Sequence, residues 1–192
     1  MTAPGAPAPL GVTPETGGVN VAVHAPRATA VFFCLFDETG SAEIARLPLC
    51  ARTGPVWHGF FPGVLPGARY GLRAAGPWAP AEGLFFNPAR LLLDPFAVVL
   101  DRPFALAPAL FDPPDTPAPS PADSAACLPR GIVTPAPPPL PERPPFDWAR
   151  QSLYELHVRG FTLRHPEVPP EIRGTFAALA HPAVLGHLRR LG

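Results

Sequence analysis

The 192-residue chain is 47% hydrophobic and only 16% charged, which excludes a wholly disordered polymer. Its formal net charge is zero and all fifteen of its Lys+Arg residues are arginines spread along the sequence, so no basic field draws it to nucleic acid or an anionic membrane. No apolar run approaches the ~20 residues of a membrane-spanning helix, and Cys34, Cys50 and Cys127 are too few and too widely spaced for a metal cage or a disulfide scaffold.

Residues 1–10, MTAPGAPAPL, lack the positive and apolar stretches of a secretory signal. They read as a flexible leader, and reduced thiols with no signal suit a cytoplasmic protein. Residues 11–100 then alternate in the manner of an all-β domain. In GVNVAVHAP, Val19, Val21 and Val23 fall on one face and Asn20, Ala22 and His24 on the other. AVFFCLFDETG is a longer apolar strand closed by a turn at Asp37–Gly40, with Phe32, Cys34 and Phe36 on its core face. AEIARLPLCAR, VWHGFFPGV and ARYGLRAAGP supply further strands, the last two separated by a turn that holds Pro62, Gly63, Pro66 and Gly67. Short strands at intervals of roughly ten residues predict an immunoglobulin-like β-sandwich. FNPARLLLDPF (Phe86–Phe96) breaks the pattern as a short helical turn or irregular segment capped by Asn-Pro and Asp-Pro.

Of the 32 prolines, fifteen fall between Pro103 and Pro145. Such a run cannot donate a regular ladder of hydrogen bonds and favours extended, polyproline-like backbone. Residues 101–147 are therefore expected to be a linker running over a surface. Beyond it, LYELHVRG (Leu153–Gly160) is a short apolar run of strand type. HPAVLGHLRRLG has helical spacing, with Val184, Leu185, Leu188 and Leu191 on one stripe and His181 at the N-cap before Pro182. A strand, a loop and a helix make the first βα step of a parallel α/β architecture in 148–192.

The order of the motifs carries more than any one of them. GGVNVAVHAPRATAVFFCLFDETG, VWHGFFPGVLPGARYGLRAAGPW, FNPARLLLDPFA, DSAACLPRGIV, LYELHVRGFT and HPEVPPEIRGTFAALAHP together resemble the bacterial glycogen debranching enzymes, isoamylase-type members of glycoside hydrolase family 13. FNPARLLLDPFA with HPEVPPEIRGTF points to the debranching group within that family. The resemblance implies that 11–100 is a family 48 carbohydrate-binding module and that 148–192 opens a (β/α)₈ barrel, cut short after its first βα unit. Barrel active sites sit at the C-terminal ends of the strands. The family's catalytic carboxylates lie on later strands, so no catalytic residue is expected here. Glu155, Glu167 and Glu171 match none of the family's catalytic segments. Glu155, His157 and Arg159 would face a barrel interior, Arg90 and Asp94 would fix the junction between sandwich and barrel, and Trp148 would anchor the chain's return.

For α-glucan binding, Trp57, Tyr70 and Trp78 are the available aromatic platforms. Trp57 and Trp78 are the candidate substrate-binding residues, Trp78 in its GPWAP loop being the better placed. The resemblance implies hydrolysis of α-1,6 branch linkages in glycogen or limit dextrin by the complete enzyme, through a covalent intermediate and with no cofactor or metal. The fragment itself is expected to be inactive. Two rival readings keep the sandwich without the chemistry: a free-standing α-glucan-binding module, or a domain for protein contact.

Overall fold

The computed structural model describes residues 2–112, 116–135, 138 and 147–191. The chain divides into two compact units, Met1–Pro139 and Leu140–Gly192. Among the described residues no helix is long and apolar enough to cross a membrane.

The first unit is the sandwich. One sheet runs β1 (Gly11–Glu15), β2 (Gly18–His24), β6 (Val56–Pro62), β5 (Ala51–Thr53), in that order. The other runs β10 (Gly131–Ile132), β7 (Arg69–Ala75), β3 (Ala30–Phe36), β4 (Glu43–Pro48). Every pairing is antiparallel. A two-stranded ribbon, β8 (Trp78–Ala79) with β9 (Leu84–Phe85), follows β7.

Between the sheets Val19, Val21 and Phe61 meet Val31, Phe33, Tyr70 and Leu72, all essentially sealed from solvent. Phe33 packs its ring against Phe61 at 5.0 Å and Tyr70 at 5.6 Å between centroids. Each such side chain contributes roughly 1.5–3 kcal/mol by leaving water. The continuous apolar run of β3 has a reason, for the strand is buried on both faces. Val31 and Phe33 face the partner sheet, while Cys34 and Phe36 join Leu91 in a second cluster on the far side. Val19, Val21, Cys34 and Phe36 are buried as expected, whereas Val23 and Phe32 are only partly so.

Two expected boundaries are corrected. The expected linker 101–147 is, over its described residues up to Val133, part of the sandwich: Gly131 and Ile132 pair with Tyr70 and Arg69 of β7 and Val133 enters the main core, while just upstream Leu92 exchanges both backbone hydrogen bonds with Leu72. The free edge of β7 needs donors and acceptors, and the apolar outer face of β3 needs cover, so segment 87–133 supplies both. Gly131 lies under the Tyr70 ring, where a Cβ would sit 2.6 Å from its nearest carbon. The proline run from 136 to 146 falls almost wholly outside the described residues.

The leader, too, is not free. Asn20 is 1% exposed instead of facing water, because residues 3–6 lie across that side of β2 and β6.

The second unit holds α1 (Val158–Thr162), α2 (Phe176–Leu179) and α3 (Pro182–Leu191) around Val168, Ala178 and Val184. Helix α3 lies where its spacing predicts, and His181 Nδ1 accepts the Ala183 N–H at 3.3 Å, the capping contact expected of it. Its stripe is buried only at Val184, while Leu185 and Leu191 stay exposed. The expected strand Leu153–Gly160 is corrected. Leu153–His157 pairs with no strand among the described residues and Val158 already begins α1. A strand exists only against a neighbour, and none is offered to this one.

Candidate functional site

The aromatic platforms sit on different elements. Trp78 opens the β8–β9 ribbon, half-buried, with its ring edge on Phe85 (5.7 Å, 87°) and its Nε1 donating to the Thr116 carbonyl at 3.1 Å. Trp57 lies in β6, packed against the core; its Nε1 donates to the Ala25 carbonyl at 3.2 Å and the Arg52 guanidinium stands 5.2 Å from its ring. Both indole N–H groups are thus spent on backbone, leaving only ring surface for a ligand. Tyr70 is no platform. It is 3% exposed and its hydroxyl donates to Asp94 at 2.8 Å, so burial first, then the Asp94 charge, drives its ionisation well above the usual range.

Two clefts border the ribbon. One, of about 610 Å³, is lined by Phe85, Phe86, Asn87, Arg90, Phe111 and Asp112 among others. The second, of about 690 Å³, is lined by residues that include His24, Arg27, Glu82, Leu84 and Leu93; Gly83 and Phe86 line both. Phe85 and Phe111 are half or more exposed, so the first cleft presents flat apolar faces beside polar groups. That combination is what a sugar ring needs, an apolar face to stack on and polar neighbours for its hydroxyls.

The polar wall of this cleft is built by Asn87 and Arg90. Asn87 precedes Pro88, and its Oδ1 accepts the Ala89 N–H at 2.9 Å, so the side chain closes its own turn. Its Nδ2 reaches Asp112 and the Ser120 carbonyl. Arg90 grips Asp112 with both arms, Nε to Oδ2 at 3.0 Å and Nη2 to Oδ1 at 2.7 Å, and also donates to the carbonyls of Ala109, Phe111 and Ala122. Burial acts to raise the Asp112 carboxyl, but hydrogen bonds from Arg90, Asn87 and the Ser120 N–H outweigh it and hold the group below its ordinary range.

A second clamp fixes the same segment from behind. Arg73, wholly buried in β7, pairs with Glu43 at 2.7 Å and Asp123 at 2.8 Å and donates to the Pro88 and Ala89 carbonyls. Cys34 lies beside Glu43, and burial with that charge lifts its thiol to about 12, which leaves it unreactive.

Arg90 and Asp94 were expected at a junction with a barrel; among the described residues Arg90 bonds to 109–122 and Asp94 to Tyr70 and Phe96. Local spacing offered no sign that Asp112 would join Arg90, Asp123 join Arg73 or Ser120 join Asn87, since these partners lie in the proline-rich run. In the second unit, His157 faces no barrel interior; its Nδ1 caps α1 by accepting the Gly160 N–H at 3.0 Å. Glu155, Glu167 and Glu171 are all exposed, and Trp148 is 76% exposed in a short 3-10 turn. Among the described residues no cluster of three or more His, Cys, Asp or Glu side chains could hold a metal ion.

Comparison with known proteins gives this geometry its context. Residues 9–97 match the model for carbohydrate-binding module 48, the isoamylase N-terminal domain. The chain is 44% identical over 98% of its length to a glycogen debranching enzyme of Serratia proteamaculans, and 43% identical over 96% to one of Cronobacter sakazakii. It spans 28% of the length of each. Among solved structures it resembles the catalytic module of the multi-modular glycogen-degrading pneumococcal virulence factor SpuA. There the TM-score is 0.58 and the identity 20%, covering 96% of this chain and 26% of that one. Over residues 9–97 the chain thus matches carbohydrate-binding module 48, and along almost its whole length it is similar in sequence to the N-terminal part of glycogen debranching enzymes.

Proposed function

We propose that the complete protein hydrolyses α-1,6-glucosidic branch linkages of glycogen or limit dextrin, in cytoplasmic glycogen breakdown, and that this chain supplies its glucan-facing module. The observation that carries the reading is the identity to enzymes of that name along almost the whole chain, including the second unit. On this reading residues 148–191 are the opening βα unit of a (β/α)₈ barrel, and Leu153–His157 becomes a strand when later strands flank it.

The chain alone is catalytically silent. Retaining hydrolysis needs two carboxyl groups ~5 Å apart across the scissile bond. Among the described residues of the second unit the acids are Asp147, Glu155, Glu167 and Glu171, all exposed side chains outside the helices. Loss of nucleophile and acid together removes both covalent and general acid–base catalysis.

Trp78, whose own ring lines neither cleft but whose ribbon neighbours Phe85 and Leu84 line one each, is the glucan contact on this reading, and Trp57 is secondary because its ring is packed on the core. Affinity electrophoresis through glycogen tests it. Retardation of the wild-type chain that Trp78→Ala removes and Trp57→Phe retains is expected. Equal retardation of wild type and Trp78→Ala would acquit Trp78, and no retardation of either would remove glucan binding. No reducing ends should be released from glycogen or pullulan. Turnover abolished by Glu155→Gln, Glu167→Gln or Glu171→Gln would overturn the silence.

A further inference from the structure

The outer face of the β1-β2-β6-β5 sheet concentrates side-chain and backbone groups on one short piece of backbone. Asn20 and Phe60 are directly opposed on β2 and β6, as are Ala22 and His58, so all four share that face. Asn20 takes the Ala6 peptide at both ends: the Ala6 N–H donates to Oδ1 at 2.7 Å and Nδ2 donates to the Ala6 carbonyl at 3.0 Å. Its amide thus mimics one rung of a β-ladder. His58, 5% exposed, contacts the Pro4 carbonyl through Nδ1 at 2.7 Å. A carbonyl only accepts, so Nδ1 bears the proton, and Nε2 lies 2.9 Å from the Thr53 hydroxyl on β5. Phe60 exchanges both backbone hydrogen bonds with Ala3 (3.0 and 2.8 Å), and the Cys50 thiol donates to the Ala3 carbonyl at 3.2 Å.

The peptide so held has particular chemistry. Between Pro4 and Ala6, Gly5 adopts φ +65°, and a Cβ there would lie 2.7 Å from the Gly59 carbonyl carbon and 2.8 Å from the Phe60 nitrogen. Both are backbone atoms that cannot step aside, so the position admits glycine alone. Pro4 brings no N–H to satisfy and little backbone freedom to lose.

We propose that this face is a peptide-recognition site, selective for a Pro-Gly-Ala segment whose glycine turns into the left-handed region, that residues 3–6 fill in cis and that accepts the same peptide in trans once they are unseated. Backbone hydrogen bonds supply the affinity, as in strand addition to a sheet edge, and the space over Gly59 supplies the selectivity. The site is separate from the aromatic ribbon and independent of glucan binding. Tethering keeps the segment at millimolar effective concentration, so the intact chain is self-blocked.

The experiment uses the full chain. Gly5→Val unseats the native segment without touching the sheet, and near-UV circular dichroism reports that the sandwich persists. A fluorescein-labelled peptide of residues 2–10 is then titrated by anisotropy. Binding to Gly5→Val at least tenfold tighter than to wild type is expected. A peptide with valine in place of its glycine should not bind, and Gly5→Val combined with Asn20→Ala should lose at least tenfold. A folded Gly5→Val chain that ignores the peptide, or takes both peptides equally, overturns the proposal. Should Gly5→Val not fold, hydrogen exchange of the wild type decides. Ala6 and Phe60 amides that exchange at least a hundredfold slower than free peptide support the site, and an unprotected Ala6 amide overturns it.

Discussion

The two units of the chain meet the same requirement, that backbone polar groups and apolar faces find partners, with different success. In the first, each strand of the two sandwich sheets has a neighbour, the outer face of β3 is roofed by Leu91, Ala125 and Leu128, and even Asn20 on the opposite sheet is covered. In the second, three short helices share a core of Val168, Ala178 and Val184, while Leu153 is 93% and Phe176 80% exposed. Apolar residues are abundant in both. What differs is the number of elements available to close over them. A sandwich closes on itself within about a hundred residues, whereas three short helices leave much of their apolar surface to water.

The comparison is broken most severely at Arg73. The side chain is wholly buried and holds Glu43, Asp123 and two carbonyls, so Arg73→Leu leaves Asp123 and the two carbonyls without this donor and Glu43 with Arg46 alone. Loss of about 3 kcal/mol is expected, near the lower end for breaking a buried pair because the Asp123 side chain is 54% exposed. Urea unfolding followed by tryptophan fluorescence measures it, and a loss under 1 kcal/mol would mean the clamp is ornamental. The counterpart in the second unit is Val184→Ala. It opens a cavity in a three-residue core, and about 2 kcal/mol of local stability should go, read as lost helical signal at 222 nm.

Acid gives a smaller and graded effect. In Glu43, Asp112 and Asp123, burial works to raise the carboxyl, but arginine hydrogen bonds to all three, joined by backbone N–H groups at Asp112 and Asp123, prevail and hold each below its ordinary range. Depressed native values mean that the unfolded chain takes up protons first as pH falls. The stabilisation is therefore complete above pH ~5 and is lost progressively below the ordinary carboxylate range of roughly 4. The urea midpoint should fall steadily from pH 5 to pH 3. In Asp112→Asn the slope should be shallower, and an unchanged slope would remove Asp112 from the account.

Much of the sandwich is legible in the sequence because its signals are local. Alternation in β2, the unbroken apolar run of β3 and the glycine–proline turns all report on backbone within a few residues. The roof is not legible, because proline suppresses the periodicity by which strands are recognised. Gly131–Ile132 is only two residues long and exists through its partner, β7. Asp112 and Asp123 likewise acquire meaning only from Arg90 and Arg73, 22 and 50 residues away. Among the site residues, Trp78 stands out by composition alone, but the tie from its Nε1 to Thr116 is a long-range fact. LYELHV fails in the opposite sense: its local signal for a strand is clear, and no strand among the described residues pairs with it.

The smallest expected effect makes that last point measurable. Leu153 belongs to an apolar run that on local grounds should be a strand, yet it is 93% exposed and pairs with nothing among the described residues. An exposed side chain gains almost nothing from its apolar character, so Leu153→Ser should change the stability of this chain by less than about 0.5 kcal/mol. It should also slow aggregation at high concentration, since an unpaired apolar run is a template for mispairing. Static light scattering and urea unfolding on the same samples test both halves. A loss above 1 kcal/mol would mean that Leu153 is packed in solution, and the contrast between a closed first unit and an open second one would have to be redrawn. If stability is unmoved and scattering falls, the exposed run is a strand without a sheet, and what the second unit lacks is neighbours, not sequence.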